Sequence, residues 1–253
     1  MTGATTALSG RRIVLTRPVG QNEALAARIR ALGGEALVYP ALVIRDIDDL
    51  QPLEHAAAQL NSYDLAIFIS PNAVERAMRF ILARRPWPTG LRAATVGQAS
   101  AAALHAHGVT EVIAPQARFD SEHLLALLPA DMSGERVVVF RGQGGRELLG
   151  DTLQARGAQV DYVTCYRRER PIVDEAALGS SQVPIDAFVV TSSEGLRNLL
   201  SMLGSARLAT AELFVSHARI ADQARALGLG RIVVTAPGDD GLISALAQFW
   251  AKV

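Results

Sequence analysis

The sequence predicts an α/β protein with parallel sheets that arose by internal duplication. Short apolar runs alternate with stretches in which leucine and isoleucine recur at helical spacing. The apolar runs have nonpolar side chains on both faces of the strand, so helices must cover their sheets on both sides. The alternation is also written twice, in the same order, within 253 residues.

The first β-α segment and its copy show the duplication most clearly. A β-rich run at Arg12–Leu15 is broken at 16–20, and a helical pattern through Leu25 and Ile29 follows it. The chain repeats this plan from Arg136. Four pairs of residues share one offset of 124 positions (141 − 17): Arg17 and Arg141, Gly20 and Gly144, Glu23 and Glu147, and Gly33 and Gly157.

Three further β-α segments occur in pairs and in the same order. Their predicted strands are 66–70 and 188–192, 94–97 and 213–216, and 112–115 and 233–237. Two stretches without helical periodicity, 37–44 and 160–167, lie between compact regions. We expect them to pair as a two-strand connection between domains.

Composition excludes several classes of protein. Basic and acidic residues number 25 each, so no overall positive field exists to hold nucleic acid or an anionic membrane. The first ten residues lack the features of a signal peptide, and no apolar run reaches about 18 residues, so we expect a cytoplasmic protein. The single cysteine, Cys165, is expected to be a packing residue, with a reactive thiol as the alternative.

The strand-to-helix turns are the predicted binding sites. Parallel sheets with right-handed crossovers place these turns at one carboxyl edge, where ligands bind and helix N-termini favour carboxylates and phosphates. The candidate substrate-binding residues are Thr16, Arg17, Ser70, Asn72, Gly97, Ser100, Arg141, Gly142, Gly144, Gly145, Arg146, Thr191, Ser192, Ser193, Ser216 and His217. Two alternatives stay open: Arg141–Arg146 as a tight turn with surface arginines, and His217 as a helix N-terminal surface residue.

Known catalytic and cofactor patterns are missing from the sequence. No G-x-G-x-x-G follows a strand and no lysine closes a P-loop, which argues against nucleotide binding. The five histidines are scattered without metal-ligand spacing, so we expect no metal site. Asp120 and Glu122 are interpreted as a helix cap and a first-turn acid.

Seven motifs in order resemble the uroporphyrinogen-III synthase (HemD) family, most closely its proteobacterial form. The resemblance covers the chain from Arg12 to the C-terminus. The motifs are Leu15–Pro18, Ile69–Val74, Val96–Ala101, Asp120–Leu125, Arg141–Arg146, Cys165–Arg167 and Val190–Ser193.

The resemblance implies two similar flavodoxin-like domains joined by a two-stranded linker at 38–44 and 160–170. Residues 1–38 and 170–253 would form domain 1, and residues 42–165 domain 2. Arg17 and Arg141 would then lie in opposite domains as two walls of one cleft, which a flexible polycarboxylate would fill.

The resemblance also implies the reaction. The enzyme, a cyclising lyase of haem biosynthesis, would convert hydroxymethylbilane to uroporphyrinogen III with loss of water and inversion of ring D, without a cofactor. A monomer is expected, in transient contact with hydroxymethylbilane synthase and with no nucleic acid or membrane partner.

Tyr166 is the candidate catalytic acid, because the family pattern places a tyrosine facing the cleft here and an ordinary phenol is protonated at neutral pH. A linker tyrosine that only packs is the alternative, and Tyr162 competes for the role. Glu194 departs from the family pattern and is expected to point away from a polycarboxylate.

Two other classes of protein remain to be weighed. The main alternative is a non-catalytic, hinged two-domain binder of a small polycarboxylate anion, which the lack of a signal sequence disfavours. A transferase for a nucleotide-sugar or adenosyl cofactor would need a glycine-rich first turn and an acid at the end of the next strand, and neither is present.

Overall fold

A computed structural model describes residues 7–116, 120–144, 147–178 and 183–251 of the chain. The chain divides into two compact units. Unit 1 contains the residues up to Val43 and those from Glu169 onward, and unit 2 contains Ile44–Arg168. The chain therefore crosses from one unit to the other twice.

The strands and helices alternate along most of the chain. The strands are β1 (Arg12–Leu15), β2 (Glu35–Val38), β3 (Val43–Asp46), β4 (Leu65–Phe68), β5 (Arg92–Thr95), β6 (Val112–Ile113), β7 (Arg136–Gly142), β8 (Gln159–Glu169), β9 (Ala187–Val190), β10 (Glu212–Val215) and β11 (Ile232–Val234). The helices are α1 (Glu23–Ala31), α2 (Gln51–Ala58), α3 (Pro71–Leu82), α4 (Gln98–Ala106), α5 (Ser121–Leu127), α6 (Leu148–Ala155), α7 (Ser193–Leu208), α8 (Ala218–Ala226) and α9 (Gly238–Trp250). Short 3-10 turns lie at Leu60–Ser62 and Glu175–Leu178.

Each unit contains one sheet, and the two sheets share a strand order. Unit 1 has the order β11-β10-β9-β1-β2, with parallel pairing throughout. In unit 2 the order is β3-β8-β7-β4-β5-β6, and β4 to β8 are parallel. When β7 and β8 are matched to β1 and β2, both sheets have the doubly wound order of flavodoxin-like folds. The predicted fold class is confirmed.

The register of the strands repeats the offset found in the sequence. Arg12 lies opposite Glu35 in unit 1, and Arg136 lies opposite Gln159 in unit 2. Both members of the pair are thus displaced by 124 positions (136 − 12 and 159 − 35). The duplication extends to individual hydrogen bonds: the backbone N–H groups of Arg12 and Arg136 each donate to an aspartate at 2.8 Å, Asp186 and Asp64 respectively.

Buried side chains lie on both faces of each sheet. In β1, Ile13 and Leu15 pack towards α1 and α9, whereas Val14 packs on the opposite face with residues of α7 and α8. In β7, Val137 and Val139 pack towards α5 and α6, and Val138 and Phe140 pack towards α2, α3 and α4. Strands buried on both faces explain the continuous apolar runs in the sequence.

Two features differ from the pattern expected between the repeats. The extended stretch 37–44 is divided between β2 and β3, because residues 39–42 belong to neither strand. β3 lies beside β8, so the two strands at which the chain crosses between units are neighbours in one sheet. Helix α2 was not predicted; its signals are a proline in the first turn and the buried residues Leu53, Ala56 and Ala57.

Candidate active site

Side-chain caps begin four helices at the carboxyl edges of the two sheets. Ser70 accepts a hydrogen bond from the Ala73 N–H at 3.1 Å, and Ser192 accepts one from the Gly195 N–H at 2.9 Å. Asp120 caps α5 in the same way, as the sequence predicted. His217 caps α8, since its Nδ1 accepts from the Arg219 N–H at 3.1 Å. That contact fits the alternative interpretation of His217 as a helix N-terminal surface residue.

Tyr166 lies in β8 beside the end of β7, where a glycine makes room for its ring. The register between β7 and β8 shifts after Arg141, so that Gly142 lies opposite Tyr166. A Cβ atom at position 142 would come within 2.5 Å of Tyr166 Cζ. The phenol is 4% exposed, its Oη is 3.0 Å from Ser70 Oγ, and the Arg76 guanidinium lies 5.9 Å from the ring centre. Two candidates from separate motifs, Ser70 and Tyr166, are thereby brought together.

Arg141 lies one residue before Gly142 and stacks on Tyr162, with its Cζ 4.0 Å from the ring centre. Its Nε and Nη1 atoms are buried and have no hydrogen-bond partner among the described residues. Burial raises the pKa of Tyr162, and the neighbouring Arg141 charge opposes that rise. Buried donors without a partner are costly, so an acceptor supplied by a ligand would be stabilised here.

Arg17 occupies the equivalent turn of unit 1 but is already paired. Its Nη1 is 2.7 Å from Asp239 Oδ1 in the first turn of α9. Asn22, which is 1% exposed, donates from Nδ2 to the carbonyls of Arg17 and Pro18 at 2.9 and 3.1 Å. The sequence reasoning missed both Asp239 and Asn22 as residues that fix this turn.

Thr16 and Ser100 are turned into their units. The Thr16 hydroxyl donates to the Val189 carbonyl at 2.8 Å, and Thr16 is 4% exposed. Ser100 is 2% exposed within α4. Neither side chain presents an exposed hydroxyl to a ligand, because the first is used between strands and the second lies on a buried helix face.

The remaining candidates lie along the same turns. Gly97 precedes α4, Asn72 lies in the first turn of α3, Thr191 precedes α7, and Ser216 precedes α8. Ser193 begins α7, and its buried Oγ has no partner within the part of the chain described. Gly144 has φ +70, a conformation that favours glycine. Gly145 and Arg146 lie outside the described residues.

Cys165 is a buried packing residue of unit 2, 2% exposed. Burial raises the pKa of its thiol to about 12, and the thiol donates a hydrogen bond to the Val163 carbonyl. A thiol held neutral in this way is a poor nucleophile. Within the described ranges, no group of three or more His, Cys, Asp or Glu residues could hold a metal ion.

A cavity of about 800 Å³ in unit 2 lies at the other edge of the sheet, lined by Trp87, Leu91, Val109 and Val112. These residues lie at or before the amino ends of β5 and β6, whereas ligands of doubly wound sheets bind at the carboxyl ends. Trp87 itself packs against Phe68, with ring centres 6.1 Å apart. The cavity is therefore not part of the candidate site.

The fold and the turns define a class of protein: a duplicated, doubly wound α/β protein with hydroxyl, arginine and tyrosine groups at its carboxyl edges. Known proteins narrow that class. The sequence model described as uroporphyrinogen-III synthase HemD matches residues 23–244. The uroporphyrinogen-III synthase of Salmonella typhimurium is 36% identical over 92% of this chain and 99% of its own, and that of Escherichia coli is 35% identical over the same shares. The chain belongs to the uroporphyrinogen-III synthase family.

Solved structures agree on the fold. A mutant uroporphyrinogen III synthase from Thermus thermophilus superposes with a TM-score of 0.65 at 19% identity, covering 95% of this chain and 97% of that one. The synthetase from Helicobacter pylori gives a TM-score of 0.63 at 14% identity, covering 96% and 99%. The family assignment makes the chain an enzyme of haem biosynthesis, a cyclising lyase. Searching the described helices for a membrane span finds none long and apolar enough.

Proposed function

We propose that this enzyme converts hydroxymethylbilane, a linear tetrapyrrole with eight carboxylates, into uroporphyrinogen III with inversion of ring D and release of water. The chain aligns with relatives in Salmonella typhimurium and Escherichia coli over nearly their whole length, and their names state that activity. A non-catalytic polycarboxylate binder is not favoured, because the family consists of enzymes.

The observation that carries the proposal is the end of β7, beside which lie the Arg141 guanidinium, with two buried donors that have no described partner, and the buried Tyr166 phenol. Arg141 and Gly142 are consecutive residues of β7. Arg141 stacks on Tyr162, and the Tyr166 ring packs against Gly142. Arg141 supplies two buried donors, Nε and Nη1, that have no partner among the described residues, and each can donate a charge-assisted hydrogen bond to a carboxylate. Tyr166 supplies a buried phenol that can donate a proton to the leaving oxygen.

The chemistry begins with loss of the substrate hydroxyl. Tyr166 donates its phenol proton to that oxygen, the C–O bond breaks with its electron pair, and water leaves. The substituted carbon of ring D attacks the resulting azafulvene cation and forms a spiro intermediate. The bond from that carbon to its original methylene bridge then breaks, and the released methylene bonds to the unsubstituted α-carbon of ring D, which inverts the ring. The proton released when the pyrrole rings are restored returns to the Tyr166 oxygen, so the enzyme ends as it began.

Positioning is the larger part of catalysis, because the cation cyclises unaided to the uninverted isomer. The helix caps and the Arg141 guanidinium bind carboxylates, and so hold the chain in the conformation from which ring D inverts. Among the predicted binding residues, we give Arg141, Ser193 and the backbone N–H groups of the turns the main role. Ser193 is included because its buried Oγ has no described partner.

Five finer points belong to the same proposal. The two units would correspond to two domains with boundaries near 38–44 and 160–170. The enzyme would act in the cytoplasm, as a monomer and without a cofactor. It would receive its substrate directly from hydroxymethylbilane synthase in a transient contact, because the free substrate cyclises spontaneously.

A coupled assay tests the activity. Hydroxymethylbilane is made enzymatically, the products are oxidised, and the type I and type III isomers are separated by chromatography. We expect type III to dominate only with the protein present. If type I dominates with and without protein, the proposed function is wrong.

Variants then test the roles of the two residues. Tyr166→Phe should lower kcat more than it changes KM, whereas Arg141→Ala should mainly raise KM. Wild-type kcat in Tyr166→Phe would remove the acid role without affecting the assigned activity.

A further inference from the structure

Two hydroxyl groups of unit 2 share one hydrogen bond whose direction matters for catalysis. Tyr166 Oη and Ser70 Oγ are 3.0 Å apart, and either can be the donor. If Tyr166 donates, its proton is committed to Ser70. If Ser70 donates, the phenol proton has no acceptor among the described residues and remains available to the substrate.

The cap that Ser70 forms at the start of α3 makes its hydroxyl a stronger hydrogen-bond donor. Its Oγ accepts the backbone N–H of Ala73 at 3.1 Å, at the start of the 12-residue helix α3. A hydroxyl that accepts one hydrogen bond becomes a stronger donor in the next one. The positive end of the helix also favours electron density on the oxygen beyond Ser70, which is the phenol oxygen.

The packing around Tyr166 fixes the hydrogen bond between its Oη and Ser70 Oγ. The ring is 4% exposed and lies against Gly142, where no Cβ would fit. Over residues 7–116, 120–144, 147–178 and 183–251, Ser70 Oγ is the one hydrogen-bond partner of Tyr166 Oη. The phenol therefore cannot rotate its oxygen to another acceptor without leaving its packing.

We propose that Ser70 donates to Tyr166 and completes a relay from the Ala73 N–H, through Ser70, to the phenol oxygen. This inference rests on the proposed function, and it makes Ser70 a positioning residue for the acid instead of a substrate ligand.

The relay acts on the step in which water leaves. As the phenol proton moves to the departing oxygen and the C–O bond breaks, negative charge grows on Tyr166 Oη. The Ser70 hydrogen bond is charge-assisted in that state, and the α3 N-terminus stabilises the same charge. The interaction is therefore stronger in the transition state than in the resting enzyme, which raises kcat.

The test compares Ser70→Ala, Ser70→Thr and a matched cap in unit 1. Ser192 caps α7 with the same geometry, and in the part of the structure described no phenol lies within hydrogen-bond distance of its Oγ. Steady-state rates on hydroxymethylbilane are measured from pH 7 to pH 10.5 and corrected for spontaneous cyclisation. Tyr166→Phe is included in every series.

We expect Ser70→Ala to lower kcat about tenfold, with KM changed less than about threefold, and to move the alkaline limb of kcat up by about half a pH unit or more. Ser70→Thr keeps a capping hydroxyl and should restore both. Ser192→Ala should change KM and leave the alkaline limb in place. If Ser70→Ala does not fold, Ser70→Gly costs the helix less and provides the same readings.

Two results would overturn the relay. A shift of the alkaline limb to lower pH in Ser70→Ala would mean that Tyr166 donates to Ser70. A rise in KM with unchanged kcat would make Ser70 an ordinary substrate ligand. Unimpaired Tyr166→Phe would instead remove the proposed acid itself, so failure of the relay and failure of the acid are distinguishable.

Discussion

Arg17 and Arg141 occupy the same position in two copies of one turn, yet their surroundings differ. Arg17 forms an ion pair with Asp239 at 2.7 Å, while Arg141 stacks on a tyrosine and keeps two buried donors without described partners. Unit 2 also has an acid at the start of a helix, but Asp120 caps α5 and lies 2.5 Å from His123 Nδ1. An acid at a helix start therefore neutralises an arginine in unit 1 and caps a helix in unit 2. Two copies of a charged residue can thus differ in whether the side chain is available to a ligand.

Removing the two arginines should separate their roles most strongly. Hydrogen bonds to charged groups contribute about 1.5–3 kcal/mol, so Arg141→Ala should raise KM for hydroxymethylbilane about 10- to 100-fold. Arg17→Ala should raise it less than about threefold. Arg141→Lys should be intermediate, because lysine keeps the charge without the planar fork. Equal effects of the two alanine variants in steady-state kinetics would contradict the difference.

A second pair tests the stability of the two copies. Arg12 is 7% exposed and donates to Glu35 and to the carbonyls of Leu178, Val183 and Pro184. Arg12→Met should therefore lower the free energy of unfolding by about 3 kcal/mol.

Its counterpart, Arg136, donates to exposed partners, Ser62 and Gln59. Arg136→Met should cost about 1 kcal/mol or less, because exposed pairs are screened by solvent. Urea unfolding of both variants measures the difference. A larger loss in Arg136→Met than in Arg12→Met would be inconsistent with the burial of Arg12.

Tyr162 provides a finer test of why Arg141 stays available. Stacking of a guanidinium on an aromatic ring contributes about 0.5–2 kcal/mol, so Tyr162→Leu should raise KM about three- to tenfold. Tyr162→Phe keeps the ring and should stay within about twofold of wild type. A large kcat loss in Tyr162→Phe would instead support Tyr162 as the proton donor.

The smallest expected effect comes from freeing Arg17. Asp239→Asn removes the charge that neutralises it, so KM at low ionic strength should fall about two- to threefold. The gain should vanish when Arg17→Ala is added, as a double-mutant cycle would show. An unchanged KM in Asp239→Asn would mean that Arg17 does not reach the substrate.

The strands and their order could be predicted from the sequence because both signals are local. Apolar runs such as Val137–Phe140 mark buried strands, and the constant offset matches one copy to the other. Helix α2 was missed because it has no counterpart in the repeat pattern and no side-chain cap.

The site was only half predictable for a different reason. Helix caps such as Ser70 and Ser192 follow strands and can be read directly. The pairing of Arg17 with Asp239 joins residues more than 200 positions apart, and the Ser70–Tyr166 contact joins residues 96 apart. A single sequence does not show which partner a charged or hydroxyl group contacts after folding.

The absence of a side chain beneath the Tyr166 ring has a consequence for how this protein can evolve. The residues at positions 142 and 166 constrain each other sterically, because a Cβ at 142 would lie 2.5 Å from the Tyr166 ring. By the offset of the repeat, their counterparts in unit 1 are Pro18 and Leu42. Unit 1 therefore has neither the glycine nor the tyrosine at the matching positions. In unit 2, any residue larger than glycine at position 142 requires a smaller residue at position 166.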